Sequence, residues 1–377
     1  MSQSAMSQSA VAQASRERRG RQLITVWLVG LCSVTLLACL FLGGALRANR
    51  QQAERRHEER MNPAVLEAGA VAADVALPPG VTPVEVRVGV YVERVVELSV
   101  RDTSWTVDFD VWFRWRDPRW RPGDTFEVVD GWIEQREKTE EYVTGDEHYE
   151  RYRVVARISK FFDVTRFPVE EHLLTISLEL AGYTRDQVIL VADEAQCGVS
   201  SRVHIPAFQI ARQAAVEKPH AYQSSLGDPR LRAGHRSLRS QFRYGIWLRR
   251  DGWGFGWKLF QGIYASLAVA LAALFIKPTA VDPRFGLGVG AFFTSIANSY
   301  ITSSLVPDTG IVTLADLITG LGLALIFLTI VQSIVSLYIH DRLQLPDVAR
   351  RFDRVACAVL ATAALLVNVV IPLAARG

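Results

Sequence analysis

Apolar residues are spread so unevenly along this chain that their placement nearly decides its fold class. Beyond Gly252 the sequence is almost continuously apolar, in four stretches at about 257–276, 285–306, 311–339 and 355–375. Each is long enough to cross a ~30 Å hydrocarbon layer as a helix. A further apolar run, 23–46, follows a basic leader with Arg16, Arg18, Arg19 and Arg21. Between these regions, residues 81–251 mix charged and apolar side chains as a soluble domain does. The sequence therefore predicts a multi-domain membrane protein: an extracellular or periplasmic antiparallel β-sandwich, then a four-helix transmembrane bundle, with an N-terminal hydrophobic segment ahead of both.

Residues 1–22, rich in Ser, Gln and Ala and then basic, are expected to be disordered and cytosolic. The run at 23–46 fits a secretory signal, with Gly43-Gly44-Ala45 as a small-residue cleavage site, or a retained membrane anchor. Either way the chain beyond it is exported, because the basic leader stays inside. Residues 47–80 read as a charged linker with one short helix, ending at the boundary signal Leu77-Pro78-Pro79-Gly80.

From Thr82 the period becomes two. Val84, Val86, Val88 and Val90 alternate with polar neighbours, and Trp105, Val107, Phe109, Val111, Phe113 and Trp115 form a second such face. Similar runs lie at 149–160, 173–180, 203–210 and 238–248, with turn signals between them. Many short half-buried strands without a helical period predict a β-sandwich over 81–251.

Orientation follows from charge. The connection at 277–284 carries Lys277 and Arg284, and that at 340–354 carries Arg342, Arg350, Arg351 and Arg354, whereas Pro307-Asp308-Thr309-Gly310 has no cation. The positive-inside rule puts the first two in the cytosol and the sandwich outside, in a multi-pass protein of the plasma (inner) membrane. Overall, 42 Lys and Arg face 39 Asp and Glu, a net charge of +3. With no basic stripe carrying interleaved aromatics, nucleic acid is not an expected partner. Cys32, Cys39, Cys197 and Cys357 have neither disulfide nor metal spacing. No His-Glu-x-x-His, Gly-x-Ser-x-Gly or phosphate loop is present, so neither an enzyme nor a cofactor is expected.

The second C-terminal apolar segment is the unusual one. Its latter half holds Thr294, Ser295, Asn298, Ser299, Tyr300, Thr302, Ser303 and Ser304. A lone lipid-facing helix would not carry so many polar groups, since each costs free energy unless partnered. This helix is expected to be surrounded by protein, to line water, or both.

This layout, an exported sandwich followed by four helices of which the second is polar, resembles the pentameric ligand-gated ion channels, the superfamily of the Cys-loop receptors. Val86-x-Val88-Gly89-x-Tyr91, Trp105 and the signature Trp115-x-Asp117-Pro118-Arg119 are similar to that family's first two strands. Phe167-Pro168-Val169-Glu170-Glu171-His172 resembles the core of its characteristic loop. The positions of the loop cysteines fall on Lys160 and Leu174, as in bacterial members without the disulfide. Leu248-Arg249-Arg250 stands where the family has an arginine before its first membrane helix. The resemblance covers about residues 82–375.

It implies a homopentamer in a lipid bilayer, gated from the extracellular domain and conducting monovalent cations. Aligned on Pro307, the pore-lining face would be Asp282, Gly286, Gly290, Phe293, Ala297, Tyr300 and Ser304. Phe293 would close the pore by dewetting, Tyr300 would form a second narrow ring, and Asp282 would select cations at the cytosolic mouth. Arg284 beside it also resembles the anion-selective branch. The most polar stripe, Ser295, Asn298 and Thr302, is rotated away from the aligned face. The implied gating junction comprises Trp115, Asp117, Arg119, Phe167, Pro168, Glu170, Arg249, Arg250 and Pro307, with Glu170 or Glu171 pairing to Arg249 or Arg250. Ligand candidates are Trp132, Tyr183 and Tyr222, and the stimulus is an unknown small molecule, a proton or a divalent cation, the last two through Asp146, Glu147 and His148. The alternative function is a non-conducting membrane sensor or scaffold with a channel-like fold.

Overall fold

The computed structural model describes residues 2–65, 77, 79–224, 237–250, 253–306 and 310–376. They form two compact units: a helical one, residues 1–51, 164–169 and 252–377, and a sheet one, residues 52–163 and 170–251.

In the sheet unit, β1 (Val84–Ser99), β2 (Ser104–Trp115), β4 (Gly131–Thr144), β5 (Glu147–Ser159) and β7 (Val188–Ala192) line up in the order β4-β5-β2-β1-β7, with the short β8 (Gly198–Val199) also on β1. A second sheet has the order β3-β6-β10-β9, from β3 (Phe126–Val128), β6 (Glu171–Leu180), β9 (Phe208–Tyr222) and β10 (Ser237–Arg250). A single turn, α2 (Pro122–Thr125), precedes β3. The arrangement is that of a β-sandwich, and β2 supplies its centre. Trp105, Val107, Phe109, Val111, Phe113 and Trp115 are all buried, as their alternation predicts. Phe113 meets Phe126 of the other sheet at 5.2 Å between ring centroids. Burying side chains of this size contributes ~1.5–3 kcal/mol each. One expected strand is corrected: residues 203–207 are a turn held by an isolated bridge from Ile205 to Phe208, and β9 starts only at Phe208. Ala207 there has a φ of 65°, which interrupts an extended strand.

The helical unit holds α3 (Trp253–Ala272) with a 3₁₀ turn at Ala273–Phe275, α4 (Val281–Ser303), α5 (Leu314–Asp341) and α6 (Pro346–Arg376). The start of α5 is set by a capping box: the Thr313 hydroxyl accepts from Asp316 N at 3.1 Å, and Thr313 N donates to the Asp316 carboxylate at 2.9 Å. Proline at the first position of α6 and Asp347 in its first turn extend that helix ahead of the expected apolar run.

The N-terminal readings need correction. Residues 2–22 are not irregular and 47–61 are not a short separate helix: one helix, α1, runs Ser2–Met61. No Pro occurs before Pro63, and no Gly lies between Gly44 and the helix end, so nothing breaks the backbone across the charged 47–61 stretch. Within the helical unit α1 runs beside α6. Ile24 and Trp27 pack on the cluster of Ile339, Leu345, Ala349 and Phe352, and Gly43 lies close to Ala374.

Among the described residues four helices are long and apolar enough to cross a membrane: 20–61 of α1, 254–275, α5 and α6. The protein is membrane-embedded. The intervening helix α4 is not one of the four, in keeping with its load of polar residues.

Candidate functional site

Helix α4 is covered along one stripe only. Arg284, Gly288, Ala291, Ser295 and Thr302 are buried, with Asn298 and Ser299 partly so. At about 100° per residue these positions cluster on one side of the helix. Asp282, Gly286, Gly290, Phe293, Ala297, Tyr300 and Ser304 cluster on the opposite side, and every one of them is exposed in the single chain. Phe293 is 65% and Tyr300 80% exposed.

The rotated polar stripe thus turns into the bundle. Its hydroxyls mostly close back on their own helix: Ser299 Oγ donates to Ser295 O and Thr302 Oγ1 to Asn298 O, each at 3.0 Å. Asn298 abuts Gly262 of α3 so closely that a Cβ there would collide with it. Gly322 and Gly288 also allow close approach, with Ile263 and Ile330 at 2.6 and 3.0 Å from where a Cβ would stand.

Arg284 is turned into the helical unit. Its guanidinium is wholly buried and forms two parallel bonds to Asp353 of α6, Nη2 to Oδ1 at 2.7 Å and Nη1 to Oδ2 at 3.0 Å. Nε donates to Ser333 Oγ and Nη1 also to Ile276 O, both at 3.0 Å. Every side of the cation is matched, as burial requires. The connection at 277–284 therefore presents Lys277 alone as an open cation, and Asp282 is left as the exposed charge at this end of α4.

Within the helical unit, Phe167 is buried against Phe255, with ring centroids 5.8 Å apart. Leu314 N and Ala315 N donate to Thr165 O and Phe167 O at 2.8 and 3.0 Å. The Phe167-Pro168 peptide is cis. Pro307 lies outside the described residues.

Within the sheet unit, Glu170 pairs with Arg250 rather than Arg249. Nε and Nη2 both reach Glu170 Oε1, at 2.8 and 2.6 Å. Both partners are buried, with Arg250 also stacked 4.4 Å above the Phe208 ring, while Arg249 is exposed. His172 Nε2 stands 3.8 Å from the same Glu170 oxygen. Burial works to raise the Glu170 carboxyl, but His172 and Arg250 outweigh it and hold it below the usual range. Burial holds the His172 imidazole below its ordinary value. Trp115 is buried and stacks on His148 at 5.4 Å. Asp117 and Arg119 pair with each other at 2.6 Å, and the guanidinium's hydrogen bonds lower the Asp117 carboxyl to about 2.

The ligand candidates are not gathered into one site. Trp132 is exposed beside Arg157, Tyr183 packs on Trp120, and Tyr222 donates to buried Glu179 at 2.9 Å. Asp146 and Glu147 are taken separately by Arg116 and Arg114, each at 3.6 Å. Sequence reasoning missed a cavity of about 430 Å³ where Tyr91, Asp110, Trp112, Tyr149 and Arg151 converge on the outer face of β1, β2 and β5. Trp112 reaches across Gly89, where a Cβ would collide with its ring, and donates to Asp193 at 3.2 Å. The signal was present: these are the polar-side positions of the alternating strands, with aromatics among them.

No protein-family model matches the chain, and no curated protein matches it.

Proposed function

We propose that this chain is one subunit of a five-fold symmetric, ligand-gated, cation-conducting channel whose pore is lined by α4. The observation that carries the reading is the division of α4 into two sides. The stripe of Ser295, Asn298, Ser299 and Thr302 turns into the bundle, whereas Asp282, Gly286, Gly290, Phe293, Ala297, Tyr300 and Ser304 have no cover in a single chain. A face with a carboxylate, a tyrosine hydroxyl, a serine and two bare glycines is poorly suited to hydrocarbon. Around a shared axis it meets water, and the flanking Leu287, Val289, Ile296 and Ile301, also exposed, meet neighbouring copies.

On this reading Phe293 is the dewetting gate, Tyr300 a second constriction, and Asp282 the ring that favours cations. Burial of Arg284 against Asp353 supports cation over anion selection, because the neighbouring cation is withdrawn and neutralised. The cavity at Tyr91, Trp112 and Tyr149 is the preferred seat of the stimulus, with aromatic walls and with Asp110 and Arg151 to orient a polar ligand. The sandwich faces outside and the basic connections face the cytosol.

The test is purified protein in planar bilayers, with native mass spectrometry for subunit number. Five subunits and a current that Phe293→Ala makes spontaneous are expected. A different stoichiometry, or folded protein that passes no current in the wild type or the variant, favours the scaffold reading instead.

A further inference from the structure

We propose that the helical unit carries a binding site for one anionic phospholipid between α1 and α6, with an acyl chain along the groove and the phosphodiester beside arginines at its basic end. Only the membrane embedding of these helices is required, so the site does not depend on the channel reading. The two helices run side by side. Gly20 lies against Leu345 and Val348, Ile24 and Trp27 pack on the cluster that includes Ala349 and Phe352, and Gly43 meets Ala374. Residue numbers rise together along both, so the pair is parallel and both basic ends stand at the same membrane surface. Between these contacts lies an apolar slot of about 250 Å³, lined by Cys32, Thr35 and Leu36 of α1 and by α6 from Val355 to Leu366.

Length and volume fit a lipid chain. From Val355 to Leu366 the slot follows α6 for about 16 Å at ~1.5 Å per residue, which is the depth of one leaflet of a ~30 Å hydrocarbon layer. Its volume is below the ~300–1,000 Å³ of compact small-ligand pockets, which suits a single extended chain. Charge then selects the head group. At about 100° per residue, Arg351 lies one turn before Val355 and within about 50° of the slot's line on α6, and Arg18 lies within about 50° of the line through Cys32, Thr35 and Leu36 on α1. Both are exposed, and neither guanidinium has a hydrogen bond or ion pair among the described residues. By the Gly20 register, Arg18 stands about 9 Å beyond Arg351 along the axis, so the two span the polar head-group layer, ~5–8 Å thick on each side. Basic pockets between membrane helices at this depth attract anionic lipids. Of the carboxylates here, Asp347 is about a quarter turn off the slot, and Asp353 is neutralised by Arg284. Val26, Val29, Leu37, Leu40 and Phe41 leave α1 largely uncovered, so a lipid seated in the slot adds apolar contact between it and α6.

The experiment is native mass spectrometry of the full-length protein in detergent, titrated with phosphatidylglycerol and with phosphatidylcholine of the same acyl chains. Retention of phosphatidylglycerol that saturates at one per chain, at least tenfold above phosphatidylcholine, is expected. Arg18→Gln/Arg351→Gln, at exposed positions, should cut that retention at least fivefold. Arg350→Gln, about 150° from the slot's line on α6, should leave it within twofold. Ala358→Phe, which fills the slot, should lower retention of both lipids. No retention, equal retention of the two lipids, or a loss in Arg350→Gln as large as in the double variant overturns the proposal. Displacement by inorganic phosphate alone, marking a free-phosphate site, overturns it too. So does a disulfide between the Cys32 residues of two copies under mild oxidation, which would put a second copy in the slot.

Discussion

Arg284 of α4 and Asp353 of α6 form a doubly hydrogen-bonded ion pair inside the helical unit, at 2.7 and 3.0 Å. It fixes the base of α4 to α6, and through Ser333 to α5, at a depth where neither charge has solvent. Removing one member strands the other, which costs ~3–5 kcal/mol. Arg284→Gln and Asp353→Asn are each expected to lower thermal stability by that order, and the double variant by less than their sum. Additive losses in a double-mutant cycle would show that the two do not act as a pair.

On the proposed channel reading, the two charges at this end of α4 have separate roles. Asp282→Asn removes the exposed carboxylate and leaves the buried pair intact, so folding should be unchanged. Reversal potentials in asymmetric salt are expected to move toward lower cation preference. An unchanged reversal potential would take Asp282 out of the permeation path.

Acid should weaken the sheet unit through His172. Its imidazole is held neutral by burial, whereas in the unfolded chain a histidine gains its proton near pH ~6.5. This stability is fully present above that pH and declines as pH falls below it, because the unfolded state then binds the extra proton. Glu170, held low in the fold, adds a loss below the ordinary glutamate value near ~4.3. Melting temperatures between pH 7 and 5 should fall in the wild type and fall less in His172→Gln. Parallel pH slopes would contradict the assignment.

Close helix contact gives a further check. A Cβ at Gly262 meets Asn298 across α3 and α4, so Gly262→Ala is expected to destabilise by ~1–3 kcal/mol through overpacking. Gly286→Ala, which meets nothing within 4 Å in the single chain, should leave monomer stability within ~0.5 kcal/mol. Equal losses at both would overturn the packing described for α4.

What the sequence made legible was periodic. The β2 alternation named six core residues correctly, and the four C-terminal apolar runs each became a helix, with ends shifted where Thr313 and Pro346 supply capping chemistry. What it hid was long-range or unpunctuated. Arg284 read as a loop cation because its partner Asp353 lies two helices away. The unbroken α1 was missed because its polar ends read as a disordered leader and a linker, although no Pro or Gly breaks residues 47–61. The choice of Arg250 over Arg249 for Glu170 depends on how the ends of β6 and β10 meet.

Water-accessible labelling of α4 tests the central claim most directly. In a background with Cys32, Cys39, Cys197 and Cys357 replaced, single cysteines at 293, 297 and 300 are exposed to a charged, membrane-impermeant thiol reagent with and without channel activation. The account predicts modification at all three, with Ser295→Cys protected. Protection of 293, 297 and 300 from the charged reagent, combined with ready modification by a lipid-soluble one, would contradict it.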